Sequence, residues 1–289
     1  MSKNQTKMFL MDLKFSLSLI KRNKLVVTGF IIVLIFTFLA IFGEFLVDPR
    51  TPQKIDFKNK LLPPSWEHIF GTDDNGRDIF SLIILGARYD LLIAIIVISL
   101  SVIIGIFVGS FSGYFGGIVD EIVMRITDIF LAFPSLVLAM AIASVLGRSF
   151  TNLMLALVSV WWSGYARIVR GQFVSEREKP YVSAAKLLNI SSFRIIFRHI
   201  LPNAIYPILV IATMDMGGVI LTAAGLSFIG LGPSPFEPEW GSLASSGSIY
   251  LFQAPWIMFF PGIAILLASL GFNLVGDGLR DVLDPRLRR

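Results

Sequence analysis

No cysteine occurs in the chain, so disulfides, thiolate nucleophiles and cysteine-based metal sites are all excluded. Histidine is almost as scarce. His68 and His199 stand alone and far apart, leaving neither a zinc-binding pair nor a base placed beside a serine nucleophile. The phosphate loop G-x-x-x-x-G-K-[ST] and the H-E-x-x-H motif are both missing, so nucleotide binding of the usual kind and metalloprotease chemistry are not expected. Charge is thin as well, at 16% of 289 residues, and no basic patch is interleaved with exposed aromatics, which argues against nucleic acid as a partner.

What fills the chain instead is apolar: 55% hydrophobic residues and a mean hydropathy of +0.75 predict an integral membrane protein. Crossing the hydrocarbon core takes about 20 apolar residues. Six runs qualify, from Leu25 to Val47, Leu91 to Phe111, Ile122 to Leu146, Leu153 to Val169, Ala204 to Ala224 and Trp256 to Val275. The expected organisation is all-α. A tail at 1–24 leads to a first, uncleaved helix at 25–47 and an outer loop at 48–90; a five-helix core at 91–276 and a tail at 277–289 follow. An even number of spans puts both termini on one side, and the basic residues choose which. With the termini inside, Lys and Arg number six in the N-terminal tail, seven from Arg167 to Arg198 and four from Arg280 onward, against seven outside.

The longest polar interruption of the core, 176–203, reads EREKPYVSAAKLLNISSFRIIFRHILPN from Glu176 to Asn203. Pro180 suits a first helical position, and Tyr181, Ala184, Ala185 and Leu188 repeat at helical spacing, with Ser183, Lys186 and Asn189 on the opposite stripe. Asn189 is placed where a left-handed residue would end this short helix. Ser191 or Ser192 can cap a second one, with Phe193, Ile196, Phe197, Ile200 and Leu201 as its apolar side and Pro202 as its end. Two short helices joined by a tight turn would form a docking knob in the cytoplasm; an amphipathic loop lying on the bilayer is the alternative.

Elsewhere, Ser101, Gly105, Gly109 and Gly113 make a small-residue stripe suited to close helix packing. Arg125 and Asp128 are expected to pair locally, and Pro134 to kink its helix. Asp73, Asp74 and Asn75 lack the alternate-residue spacing of a calcium loop and read as an Asx-capped turn. Asp215, flanked by Met214 and Met216, lies in the middle of an apolar run. There a carboxyl must face protein, water or a passing cargo, as a helix–helix hydrogen bond or as lining of a pathway.

Several of these stretches carry a resemblance. Ser183, Ala184, Ala185, Asn189 and the closing His199, Ile200, Leu201 and Pro202 resemble the EAA coupling loop of permease subunits of ATP-binding-cassette importers, with Ser183 and Asn189 departing from the family's Glu and Gly. The runs FGTDDNGRD, GLSFIGLGPSPFEPEWGS and NLVGDGLRDVLDPRLRR resemble the C-type subunit of oligopeptide and dipeptide permeases. The resemblance implies a six-helix type I importer fold in the cell membrane. It further implies a heterodimer with a B-type permease subunit, two ATPase subunits gripping the coupling loops, and an extracytoplasmic solute-binding protein. ATP and magnesium would be held by the ATPases, leaving this chain without a cofactor. Tyr181, Ser183, Ala184, Ala185, Lys186, Leu188, Asn189 and Pro202 would be the coupling residues. Peptides are the cargo it implies, with nickel or oligosaccharides as alternatives. A secondary transporter acting without ATPases is the competing class, although no internal inverted repeat supports it.

Overall fold

Asn23 accepts hydrogen bonds from the backbone N–H groups of Leu25 and Val26 and so opens α1 (Lys24–Leu46). The computed structural model describes residues 23–234 and 236–283; most of the expected N-terminal tail and the end of the C-terminal one lie outside them. Regular secondary structure among the described residues is helical, apart from one isolated bridge between Thr72 and Asp78.

Asp78 caps α2 (Ile79–Phe115) through the N–H of Ser81, so the outer loop ends about a dozen residues before the expected Asp90. The polar residues Arg88 and Asp90 had excluded this stretch from an apolar span. The helix nonetheless runs through it because both polar groups are compensated: Asp90 is fully buried and accepts the Trp240 N–H, and the exposed Arg88 pairs with Glu44 of α1. At its far end Gly116 and Gly117, both at positive φ, turn the chain into α3 (Gly117–Ala132). Phe133 and Pro134 then break the expected third span: α3 and α4 (Ser135–Leu146) meet at 89° rather than forming one kinked helix.

The 28-residue α5 (Phe150–Arg177) lies along α2. The seam is the glycine stripe, where an added Cβ on Gly109 would come within 2.8 Å of the Val169 Cβ and one on Gly113 within 2.7 Å of the Phe173 Cβ. Short α6 (Pro180–Leu187) follows, and then α7 (Ser192–Leu231), 40 residues long. Pro202 was expected to end a short helix before a separate span from Ala204. It lies inside α7 instead. The turn Ile195–Ile200 is a π-turn in which the Leu201 N–H reaches back to the Ile196 carbonyl, so the ladder is already shifted where proline removes a donor. Helices α8 (Trp240–Ser248) and α9 (Trp256–Leu283) complete the chain.

Helices α1, α2, α7 and α9 are long and apolar enough to cross a membrane, and the bent α3–α4 pair would make one more. Helix α5, the expected fourth span, falls below that apolarity: Trp161, Trp162, Ser163, Gly164 and Tyr165 dilute its middle. Burial of Leu157, Tyr165, Val169 and Phe173 against α2 and α7 takes the place of lipid contact.

Candidate functional site

The α5–α7 connection is a knob built on α6. Its C-terminus closes with two backbone bonds, Ile190 N–H to the Ala185 carbonyl at 3.2 Å and Asn189 N–H to the Lys186 carbonyl at 3.0 Å. Asn189 between them is left-handed, at φ +56°. This is the Schellman arrangement, which asparagine tolerates better than other non-glycine residues. Which face points outward differs from the expected stripe. Val182 and Ala185 are the buried pair, joined to the core of α5 and α7, while Ser183, Ala184, Leu187 and Leu188 face out. Ala185 is therefore not available to a partner. Eight residues fix a helical phase poorly; Val182, wholly buried, decides it by packing against the π-turn of α7. Leu187 is 87% and Leu188 75% exposed. Leu187 was missed in the sequence, where two adjacent leucines at a helix end were the available signal.

The knob is held by a polar mount. Glu176, buried at the end of α5, accepts hydrogen bonds from the Tyr181 hydroxyl at 2.7 Å and the Lys179 ammonium at 2.5 Å, and Asn203 of α7 reaches the Tyr181 oxygen at 3.5 Å. Burial, then the bond to Glu176, pushes the Tyr181 phenol up to about 12, so it remains a donor at neutral pH. Arg177 donates to the carbonyls of Gly113 and Tyr114 at the end of α2, and Lys186 leans over the Tyr114 ring, 5.5 Å from its centroid. Two turns back, Arg170 grips Asp120 with two parallel bonds of 2.6 Å. Asp128 pairs with Arg167 of α5 and Arg125 with Glu121, so the expected Arg125–Asp128 pair does not form. Facing arginines on α5 outcompete the neighbour on the same helix. Pro202, expected among the coupling residues, is exposed on α7 and lies off the knob's outward face.

A second locus lies between α5, α7 and the α3–α4 bend. The Tyr165 hydroxyl of α5 donates to Asp215 Oδ2 of α7 at 2.8 Å, and both residues line a cavity of about 360 Å³ at the α3–α4 bend. Met214 and Met216 do not line it: Met214 packs against Gly276 of α9, and Met216 lies between the two apolar clusters.

At the opposite end, the acidic outer loop is occupied by its own chain. Arg77 donates to Asp73 Oδ2 at 2.6 Å, and Asp73 Oδ1 accepts the N–H groups of Asn75 and Arg77. His68 bonds the capping Asp78 at 3.0 Å. The segment PEWG is interior: Glu239 caps α8, and the buried Trp240 indole donates to the Ile83 carbonyl at 3.0 Å.

Comparison with known proteins places this architecture. Residues 101–289 match the family described as binding-protein-dependent transport system inner membrane component, and residues 18–64 match the N-terminal TM domain of oligopeptide transport permease C. The dipeptide transport system permease protein DppC of Alkalihalophilus pseudofirmus is 44% identical over 93% of this chain and 88% of its own length. The probable D,D-dipeptide transport system permease protein DdpC of Escherichia coli is 44% identical over 93% and 90%. Among solved structures, an inward-facing MetNI methionine ABC transporter superposes with a TM-score of 0.56 at 18% identity, covering 71% of this chain and 98% of that one. The fold is thus the all-α permease fold of type I importers. With one family pattern spanning more than half of the residues and relatives matched over nearly their full length, the chain belongs to the binding-protein-dependent transport system inner membrane components.

Proposed function

We propose that this permease imports di- and oligopeptides as half of a heterodimeric pathway with a B-type subunit, driven by two ATPase subunits and fed by an extracytoplasmic solute-binding protein. Both termini and the α6 knob are on the cytoplasmic side. The peptide reading rests on the relatives named for dipeptide transport. The coupling reading rests on one observation: a short helix with an apolar outward face, Ala184, Leu187 and Leu188, on a mount bonded to α5 and α7. ATP and its magnesium ion belong to the ATPases, and this chain takes no cofactor.

Closure of the ATPase dimer displaces α6. Because Glu176 and Asn203 tie Tyr181 to both long helices, the displacement passes to α5 and α7 as a rigid-body rotation that reopens the pathway to the other side. Work is transmitted only if α6 contacts the two ATPase states differently. Ser183 replaces an acid in the family pattern, so the contact relies on shape and apolar area. Asp215 lines the pathway at the cavity described above.

The test is uptake by the complete transporter in proteoliposomes. Peptide uptake should require ATP hydrolysis and ignore dissipated ion gradients. Ala184→Trp and Lys186→Glu should leave ATP hydrolysis running while uptake stops; uptake coupled as in the wild type in both variants would overturn the coupling role. Cargo retained by the co-purified binding protein separates peptides from nickel and oligosaccharides.

A further inference from the structure

A lone carboxyl group in the membrane interior is costly and persists where something compensates it. Asp215 has one hydrogen bond, from Tyr165 to Oδ2, which leaves Oδ1 without one among the described residues. Among the described residues no Lys, Arg or His lines its cavity, and no ion pair reaches it. Four of the other lining residues are aromatic, Phe130 and Phe133 at the α3–α4 bend and Trp161 and Tyr165 from α5; the rest are aliphatic or small, among them Leu131, Val160, Ile168 and Ser163. A carboxyl set among aromatic rings suits an organic cation, because ring faces attract positive charge and the carboxylate supplies the opposite charge. Size adds a limit. At about 360 Å³ the cavity lies near the lower end of the roughly 300–1,000 Å³ of ligand sites, enough for one end of a peptide and not for its length.

We infer that the Asp215 cavity is a cation subsite of the translocation path, receiving an ammonium or guanidinium group of the cargo as it crosses the bend between α3 and α4. This rests on the import reading above and specifies what the pathway contacts. Two sources share that chemistry, the terminal α-ammonium of a peptide and a basic side chain. The Tyr165 hydroxyl is a positioning group that holds the carboxyl toward the cavity, and Asp215 is the group that touches cargo.

The experiment uses the complete transporter with its binding protein in proteoliposomes, with Ala-Ala and Ala-Lys as probes, reading uptake and binding-protein-stimulated ATP hydrolysis together. Asp215→Asn should lower uptake about tenfold, the scale of one charge-assisted contact, with ATP hydrolysis maintained. Asp215→Glu should restore much of it, and Tyr165→Phe should stay within about threefold because the carboxyl remains. A fall for both probes assigns the subsite to the α-ammonium, and a fall for Ala-Lys alone assigns it to the side chain. Wild-type uptake of both probes by Asp215→Asn overturns the inference. So does equal failure of Asp215→Asn and Tyr165→Phe, which marks the bond as structural, or a loss that Asp215→Glu does not restore. If the wild type moves neither probe, the peptide-import reading falls first and takes this one with it; failure confined to the variants overturns this one alone.

Discussion

Replacing Leu187 and Leu188 together by serine isolates the contact on which the coupling proposal depends. Both side chains are largely free of the rest of the chain, at 87% and 75% exposure, so their removal should cost the permease itself little stability. Covered by an ATPase groove, each leucine would contribute about 1.5–3 kcal/mol of apolar burial. Taking the lower end for each, because a docking contact rarely encloses a side chain completely, gives about 3 kcal/mol for the pair, or roughly a hundredfold in dissociation constant. The measurement is titration of the ATPase subunit onto the detergent-purified permease heterodimer, with thermal unfolding of that heterodimer recorded in parallel. The expected result is a hundredfold weaker association at an unchanged melting temperature. Association within about threefold of the wild type would refute docking through this face, since even half the expected burial would give about tenfold. A fall in melting temperature would show instead that the leucines support the permease itself.

Three further outcomes follow from the packing. Gly109→Leu drives a side chain into Ala166 and Val169 of α5 and should destabilise the α2–α5 seam by at least the 1–3 kcal/mol typical of about one overpacked site, read as lower melting temperature and yield. Asn189→Gly should hold or raise the stability of α6, whereas Asn189→Val should cost about 1–2 kcal/mol at its left-handed φ, read by hydrogen exchange across residues 182–190. Trp240→Ala should remove about 3–5 kcal/mol of buried packing, while Trp240→Phe should lose mainly the bond to Ile83, a ranking measurable by unfolding in detergent.

Hydropathy located most of the membrane helices in sequence, but where it misplaced an end by many residues it cut the helix short. It began α2 at Leu91, just after Arg88 and Asp90, and the fifth span at Ala204, twelve residues after Ser192, because a window average treats charge as a boundary with water. Inside a bundle that rule fails. Asp90 accepts the Trp240 N–H across 150 residues, a partner no local window contains. The same blindness explains Pro202, which reads as a stop signal until the π-turn before it is seen.

At the knob, local chemistry was legible: Pro180 opens the helix, Asn189 closes it, and both effects arise from the φ angle of the residue itself. Its orientation was not legible, since Ala185 and Ala184 are interchangeable in a periodicity and differ only in whether Val182 finds a pocket on α7.

By itself, then, the amino-acid sequence determined the helical membrane class, the family motifs and the turns that depend on a single residue's backbone preference. Tertiary structure alone decided which residues face outward on α6, which arginine meets which acid, and that Asp215 shares its bond with Tyr165 at a cavity. The physical reason is range: helix propensity and capping act within four or five residues, whereas burial and charge pairing between the helices of a membrane bundle involve neighbours 39 to 150 residues away.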